Sequence, residues 1–172
     1  MKSLRFLLSL VAVMLLSSVA FAQSDVQKSF DHLKTLAGTW EARVTTVPPQ
    51  SEIEGKLMHV TLRVTSMGNA LMHEMTGADR PDDPITMLYM DGDRLMLTHY
   101  CDAGNRPRMT GKVSADGKTV EFEFLDVAGS TQYGHMHHAV FTIIDANHHT
   151  EEWTFMQGDK PIHARFELQR TK

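Results

Sequence analysis

Residues 85–101 read ITMLYM-DGD-RLMLTHYC, and this stretch decides the fold. Two runs of apolar and β-forming residues flank Asp91-Gly92-Asp93. Asp-Gly supplies the positive φ that a tight hairpin turn needs, so the stretch predicts two antiparallel strands joined by a minimal loop. The same grammar recurs downstream. Residues 108–114 and 118–126 flank Asp116-Gly117, and 148–157 and 161–170 flank Gly158-Asp159. Between them, 132–145 is one long β-rich run ending at Ala146-Asn147. Upstream, 39–46, 56–66 and 70–76 alternate apolar with polar residues, broken by Pro48-Pro49, by the turn Met67-Gly68-Asn69 and by an Asp- and Pro-rich loop from Ala78 to Pro84. The sum is about ten strands in series with no crossover helix, which argues against a parallel sheet. A meander of this length leaves its edges unpaired unless it curls shut. The predicted fold is therefore all-β, an up-and-down antiparallel barrel, with a two-sheet sandwich as the alternative.

One helix precedes the strands. Over residues 24–37, Val26, Phe30, Leu33 and Leu36 recur at helical spacing, Ser24 or Asp25 can cap the start, and Gly38 can end it. Such a helix is too short to be stable alone, so its apolar stripe must lie on something, and an end of the barrel is the natural place. No repeat, low-complexity stretch or linker divides the chain, and residues 23–172 read as a single domain.

The first 22 residues read as a secretory signal. Lys2 and Arg5 precede an apolar run from Phe6 to Leu16, and Ala20-Phe21-Ala22 fits a small-x-small cleavage site, leaving Gln23 as the mature N-terminus. The alternative, an uncleaved anchor, would need about 20 apolar residues. The expectation is a periplasmic or secreted protein with no membrane attachment after cleavage. With Lys2 and Arg5 gone, the 17 basic residues fall to 15 against 21 acidic ones, a formal charge of −6. No basic stripe is present, which argues against nucleic acid as the main partner. The single cysteine, Cys101, excludes an internal disulfide and is expected to be buried and inert.

At Leu36-Ala37-Gly38-Thr39-Trp40-Glu41 the chain resembles the start of lipocalin-like, or calycin, barrels, which open with a short helix and then Gly-x-Trp on the first strand. The resemblance implies that Trp40 closes one end of the barrel beneath a basic residue of the last strand, Arg165 or Arg170, in cation–π contact. The stretch from Ile85 to Met109 is similar to a group of uncharacterised bacterial exported proteins with a lipocalin-like domain. That likeness implies a layout and no established activity. The chain is more loosely similar to nitrobindins, haem-holding barrels with a ligating histidine near the end of the chain, where His163 stands here. Alternation sets His163 with Arg165, Glu167 and Gln169, opposite Ile162, Ala164, Phe166 and Leu168, so its side chain should look outward.

Histidine is the unusual component, with ten in the chain. His73 lies between Leu71 and Met75, and His99 continues the Leu95-Leu97 face, so both are expected inside the barrel. His135 and His137 share a face with Tyr133, Ala139, Phe141 and Ile143 on the same alternation, while His138, His148 and His149 are expected at solvent-facing strand ends. The leading expectation is a binding barrel for a small apolar or amphipathic molecule. Trp40, Tyr89 and Trp153 would line it together with Phe122, Phe124, Phe141 and Phe166. His73, His99, His137 and Arg108 would orient the ligand, Arg108 by clamping a carboxylate at the mouth. The alternative is a metal or haem protein. His99, Cys101, His135 and His137 are the candidate metal ligands, because paired imidazoles two residues apart on a strand stand parallel; the cofactor itself is left open. Catalysis has little support. No Gly-x-Ser-x-Gly or His-Glu-x-x-His occurs, no catalytic residue is assigned, and His99 or His137 would be the candidate general base. Glu151, on the Trp153 and Phe155 face, is read as a strand-end charge rather than a buried acid.

Overall fold

Residues 25–77 and 84–172 are described by a computed structural model. The expected signal, residues 1–22, lies outside the described residues, as does most of the Asp- and Pro-rich loop. Helix α1 covers residues 25–34. Ten strands follow: β1 Gly38–Val47, β2 Leu57–Thr65, β3 Ala70–Gly77, β4 Ile85–Asp91, β5 Arg94–Tyr100, β6 Arg106–Val113, β7 Thr119–Ala128, β8 His135–Ile143, β9 His148–Gln157 and β10 Lys160–Arg170. Each pairs antiparallel with its neighbours in sequence, and β1 pairs with β10, so the sheet is a closed barrel and not a sandwich. Closure leaves no strand edge unpaired, which is the physical reason a meander of this length curls shut.

The side-chain period sets what is inside. On β1, Trp40, Ala42 and Val44 are buried and Arg43 and Thr45 exposed. The β4–β5 turn places Gly92 at φ +63° between the partners Asp91 and Arg94, the backbone geometry anticipated for Asp-Gly. Two faces depart from strict alternation. Val64, two residues beyond the buried Leu62 on the same alternation of β2, is exposed. On β8 a register shift between Met136 and His138 sets Met136 opposite Phe155, so the inward alternation begins at Ala139 and does not extend back through His137, His135 and Tyr133.

The two ends of the barrel differ. Tight turns at 66–69, 92–93, 114–118 and 144–147 lie at one end, and the longer described connections 48–56, 101–105 and 129–134, with the short turn 158–159, at the other. Helix α1 lies across the first. Phe30, Leu33 and Leu36 are buried in the core with Trp40, each contributing about 1.5–3 kcal/mol by removal from water. His32 Nδ1 lies 3.0 Å from Gly117 O, and Lys34 Nζ donates to Gly68 O, which ties the helix to two of the turns. Trp40 Nε1 donates to Leu36 O at 2.9 Å. The Arg170 guanidinium lies 4.0 Å above the Trp40 ring and donates to the carbonyls of Thr35, Ala37 and Ala146. The basic residue over the tryptophan is therefore Arg170, while Arg165 pairs with Glu152 on the outer surface. Gly38, at φ +147°, is what lets the arginine in: a Cβ there would stand 2.3 Å from Arg170 Nη1.

Candidate functional site

Three strands place a polar row across the barrel interior. His73 on β3 is the cross-strand partner of Thr86 on β4, and Thr86 is the partner of His99 on β5. All three point inward because Leu71, Leu88 and Leu97, two residues away on the same strands, are core residues. Thr86 Oγ1 lies 2.8 Å from His99 Nδ1. His99 Nε2 makes no hydrogen bond among the described residues and is left toward the cavity that His99 lines.

Opposite this row stands Glu151 on β9, fully buried at 0% exposure. Its Oε2 accepts from His73 Nε2 and from Trp153 Nε1, and its Oε1 from His149 Nε2, all at 3.0 Å. Burial alone would push its pKa up. The electrostatic pull of His73 and the hydrogen bonds from His149 and His73 outweigh burial and hold the carboxyl well below the usual carboxylate range. His149 in turn packs edge-on against Trp40, with ring centroids 4.2 Å apart. A continuous stack thus runs from Arg170 through Trp40, His149 and Glu151 to His73, and it forms the floor of the open half of the barrel. The outer ring nitrogens, Nδ1 of His73 and of His149, are buried without a partner among the described residues.

Above this floor is a cavity of about 550 Å³. Its walls are mainly apolar: Met58, Met75, Met136, Trp153, Phe155, Ile162, Ala164 and Phe166. The mouth is formed by Gln50, Ser51, Glu52 and Ile53 of the β1–β2 connection and by Cys101, Asp102 and Ala103 of the β5–β6 connection. Trp153 sits between the imidazoles, with ring centroids 5.6 Å from His99 and 5.8 Å from His73. Burial, reinforced by the charge of His73, lowers the pKa of His99 to about 4, so its ring is neutral at physiological pH.

Of the residues anticipated at a ligand site, His73, His99 and Trp153 meet in this cavity, and four do not. Trp40 is sealed into the closed end under Arg170. Tyr89 alternates with inward-facing Thr86, Leu88 and Met90, so it points to the other face, where its hydroxyl lies 3.0 Å from Thr98 Oγ1. Arg108 is exposed and paired with Asp126 through Nε at 2.8 Å, outside the cavity lining. His137 stacks on Phe124 at 4.6 Å and meets His135 Nε2 through its Nδ1 at 3.2 Å, outside the cavity lining, because the β8 bulge gives the inward position to Met136. Of the other aromatic residues, Phe166 lines the cavity, while Phe122 and Phe141 fill the solid half.

The four candidate metal ligands are likewise divided. His99 and Cys101 line the cavity, and His135 and His137 form a separate pair. Among the described residues, no three or more of His, Cys, Asp and Glu are gathered as a metal site. His163 faces outward beside the Thr154 hydroxyl. Cys101 is half-buried at the mouth rather than sealed in the core. Glu151 is the largest correction: it is the buried centre of the interior rather than a strand-end charge, and His149 is buried with it rather than solvent-facing. The alternation that sets Glu151 with Trp153 and Phe155 extends one step back to His149, so the signal was present in the strand.

No family model and no curated protein matches the sequence. Among solved structures, the chain is similar to a protein of unknown function from the DUF3598 family of Nostoc punctiforme PCC 73102, with a TM-score of 0.53 and 10% identity over 80% of this chain. The match covers 48% of that protein, so the chain spans about half its length. At this identity the likeness shows the barrel fold alone. A putative outer membrane protein of Bacteroides fragilis NCTC 9343 aligns at 10% identity over 85% of this chain and 99% of its own, with a TM-score of 0.18, too low to carry an argument.

Proposed function

We propose that the mature chain is an exported, lipocalin-like binding protein that takes a small, partly apolar molecule into the open half of its barrel. The observation that carries this reading is the cavity itself. At about 550 Å³ it falls in the size range of small-molecule sites, and it joins an apolar wall to a few convergent polar groups. The carboxylate of the floor beneath it is already satisfied: Glu151 has three donors, and Trp153 is held by its own indole N–H. A site whose supporting groups are bonded to one another is preorganised and loses little on binding. Export is supported by the leader pattern of Lys2, Arg5, the Phe6 to Leu16 run and Ala20-Phe21-Ala22.

Two measurements test the proposal. The chain has two tryptophans, Trp40 and Trp153, and only Trp153 lines the cavity. Titration with 1-anilinonaphthalene-8-sulfonate is expected to quench Trp153 by energy transfer and to saturate at one site. Phe166→Trp, which narrows the cavity, is expected to abolish saturation while leaving the far-UV circular dichroism unchanged. Unsaturable, superficial dye binding in both proteins would remove the proposal. For export, N-terminal sequencing of the protein recovered outside the cytoplasm is expected to begin at Gln23.

A further inference from the structure

Two of the ten histidines stand apart from the rest. The others each lie against an oxygen: a carboxylate for His59, His73, His138, His148 and His149, a hydroxyl for His99 and His163, and a backbone carbonyl for His32. His135 and His137 meet each other instead. His135 Nε2 lies 3.2 Å from His137 Nδ1.

A regular strand does not bring such a pair this close. Residues two apart stand about 7 Å from one another along the chain, with their side chains parallel. Here the imidazole centroids are 5.3 Å apart and the rings cross at 72°. The register shift between Met136 and His138 falls at this point, and a bulge re-aims the side chains beside it. Phe124 of β7 backs both rings, stacked on His137 at 4.6 Å and 5.1 Å from His135. The backbone leading into the pair is also held. Asn105, 1% exposed, donates through Nδ2 to Ser130 O at 2.9 Å and to Gly134 O at 2.8 Å. A Cβ on Gly134 would stand 2.5 Å from the Phe155 ring, so the chain enters β8 in close contact with β9.

Two nitrogens held in this way form a chelate. At 3.2 Å from each other and about 2.1 Å from a common ion, they subtend an angle of about 100° at it, between the octahedral and tetrahedral values. A small turn of each ring brings both lone pairs onto the ion, which takes the place of the proton now lying between them. Burial, reinforced by the charge of His137, lowers the pKa of His135, and a neutral imidazole is the form that binds metal. No third His, Cys, Asp or Glu joins the pair among the described residues, which leaves the remaining coordination positions to water. Imidazole donors without carboxylates suit nickel, copper and zinc rather than magnesium or calcium.

We propose that His135 Nε2 and His137 Nδ1 form a two-imidazole chelate for a divalent transition-metal ion, separate from the cavity and independent of what the cavity binds.

The test titrates NiCl2 and, separately, ZnCl2 into the mature protein at pH 7.5. Calorimetry with Ni2+ is expected to show one saturable equivalent. Zn2+ is expected to shift the ring nitrogen NMR signals of His135 and His137 before those of any other histidine. In His135→Gln and in His137→Gln, Ni2+ affinity is expected to fall at least tenfold, because the second nitrogen no longer binds as part of the same molecule. His138→Gln, which removes the neighbour bonded to Glu121, is expected to keep the parent affinity. Equal Ni2+ affinity in the parent and both variants would overturn the proposal. So would the lack of a saturable equivalent in the parent, or zinc shifts that begin at other histidines. The ring signals are read in the parent protein, so they decide the matter even where a variant fails to fold.

Discussion

The two ends of this barrel are closed and open by different means. At the closed end, tight turns meet a docked helix, Trp40 is enclosed, and one arginine, Arg170, satisfies three backbone carbonyls. At the open end, longer connections stand apart around a chamber of about 550 Å³. Between them lies a buried polar layer, His73, Thr86, His99 and Glu151. A barrel of this width can be filled with side chains or can hold a ligand. This one does both, a half each, and the polar layer is the partition. Stability should therefore be concentrated below the layer and binding above it.

That division can be broken from below. Trp40→Ala removes the largest sealed side chain of the closed end along with its bonds to Leu36 and Arg170, and it should cost about 3–5 kcal/mol. A large drop in the urea midpoint, with α1 detached in hydrogen exchange, is the expected outcome; a change below 1 kcal/mol on the order of a surface substitution would show that the helix and arginine do not seal the barrel.

The partition itself comes next. Glu151→Gln leaves the donors of His73, His149 and Trp153 facing a neutral amide, and breaking a buried charged network of this kind should cost about 3 kcal/mol. Because the folded pKa of Glu151 lies below its ordinary value of 4.5, the stability it contributes is fully present above that pH and is lost as the pH falls below it. Acid unfolding of Glu151→Gln should start from a lower plateau and show a shallower decline below pH 4.5. An unchanged acid limb would mean the carboxyl is not held ionised.

His99 acts in a neighbouring pH window. It binds a proton near pH 4 when folded but at 6.5 when unfolded, so the unfolded chain holds more protons in between. Stability should fall by on the order of 3 kcal/mol as the pH drops from 6.5 to about 4, and level off below that. In His99→Gln this slope should become shallower; urea midpoints at pH 7 and pH 5 that separate equally in both proteins would rule out a buried neutral His99.

The smallest effect is expected outside both halves. Arg108→Ala breaks an exposed pair with Asp126 and should leave both the unfolding midpoint and dye affinity within experimental scatter. A loss of affinity in this variant would return Arg108 to the site.

The sequence announces the strands because each is bounded by residues with a backbone reason to turn, such as Gly92, and because alternation writes the buried face into every second position. Gly-x-Trp was legible as an end closure, yet Trp40 could be counted as cavity wall until its depth under Arg170 was seen. His137 was misplaced by a single extra residue: a bulge leaves no mark in composition, and it reverses every inward assignment beyond it. Glu151 was misread for a different reason. An acid on an apolar face is credible only if its partners are known, and His73 lies 78 positions away on another strand. Local pattern can say which way Glu151 points; only the closed barrel shows what it meets there.

The seam between β1 and β10 has a consequence for the life of the chain before it is finished. Arg170 reaches back 133 positions to the carbonyl of Ala37, so the cylinder cannot be completed until nearly the whole polypeptide has emerged. Until then β1 has a bare margin, and the pairing that covers it is the slowest kind, between distant parts of the sequence. A nascent chain with these strands stays unlocked during synthesis, and it snaps into a ring only when its final ribbon arrives.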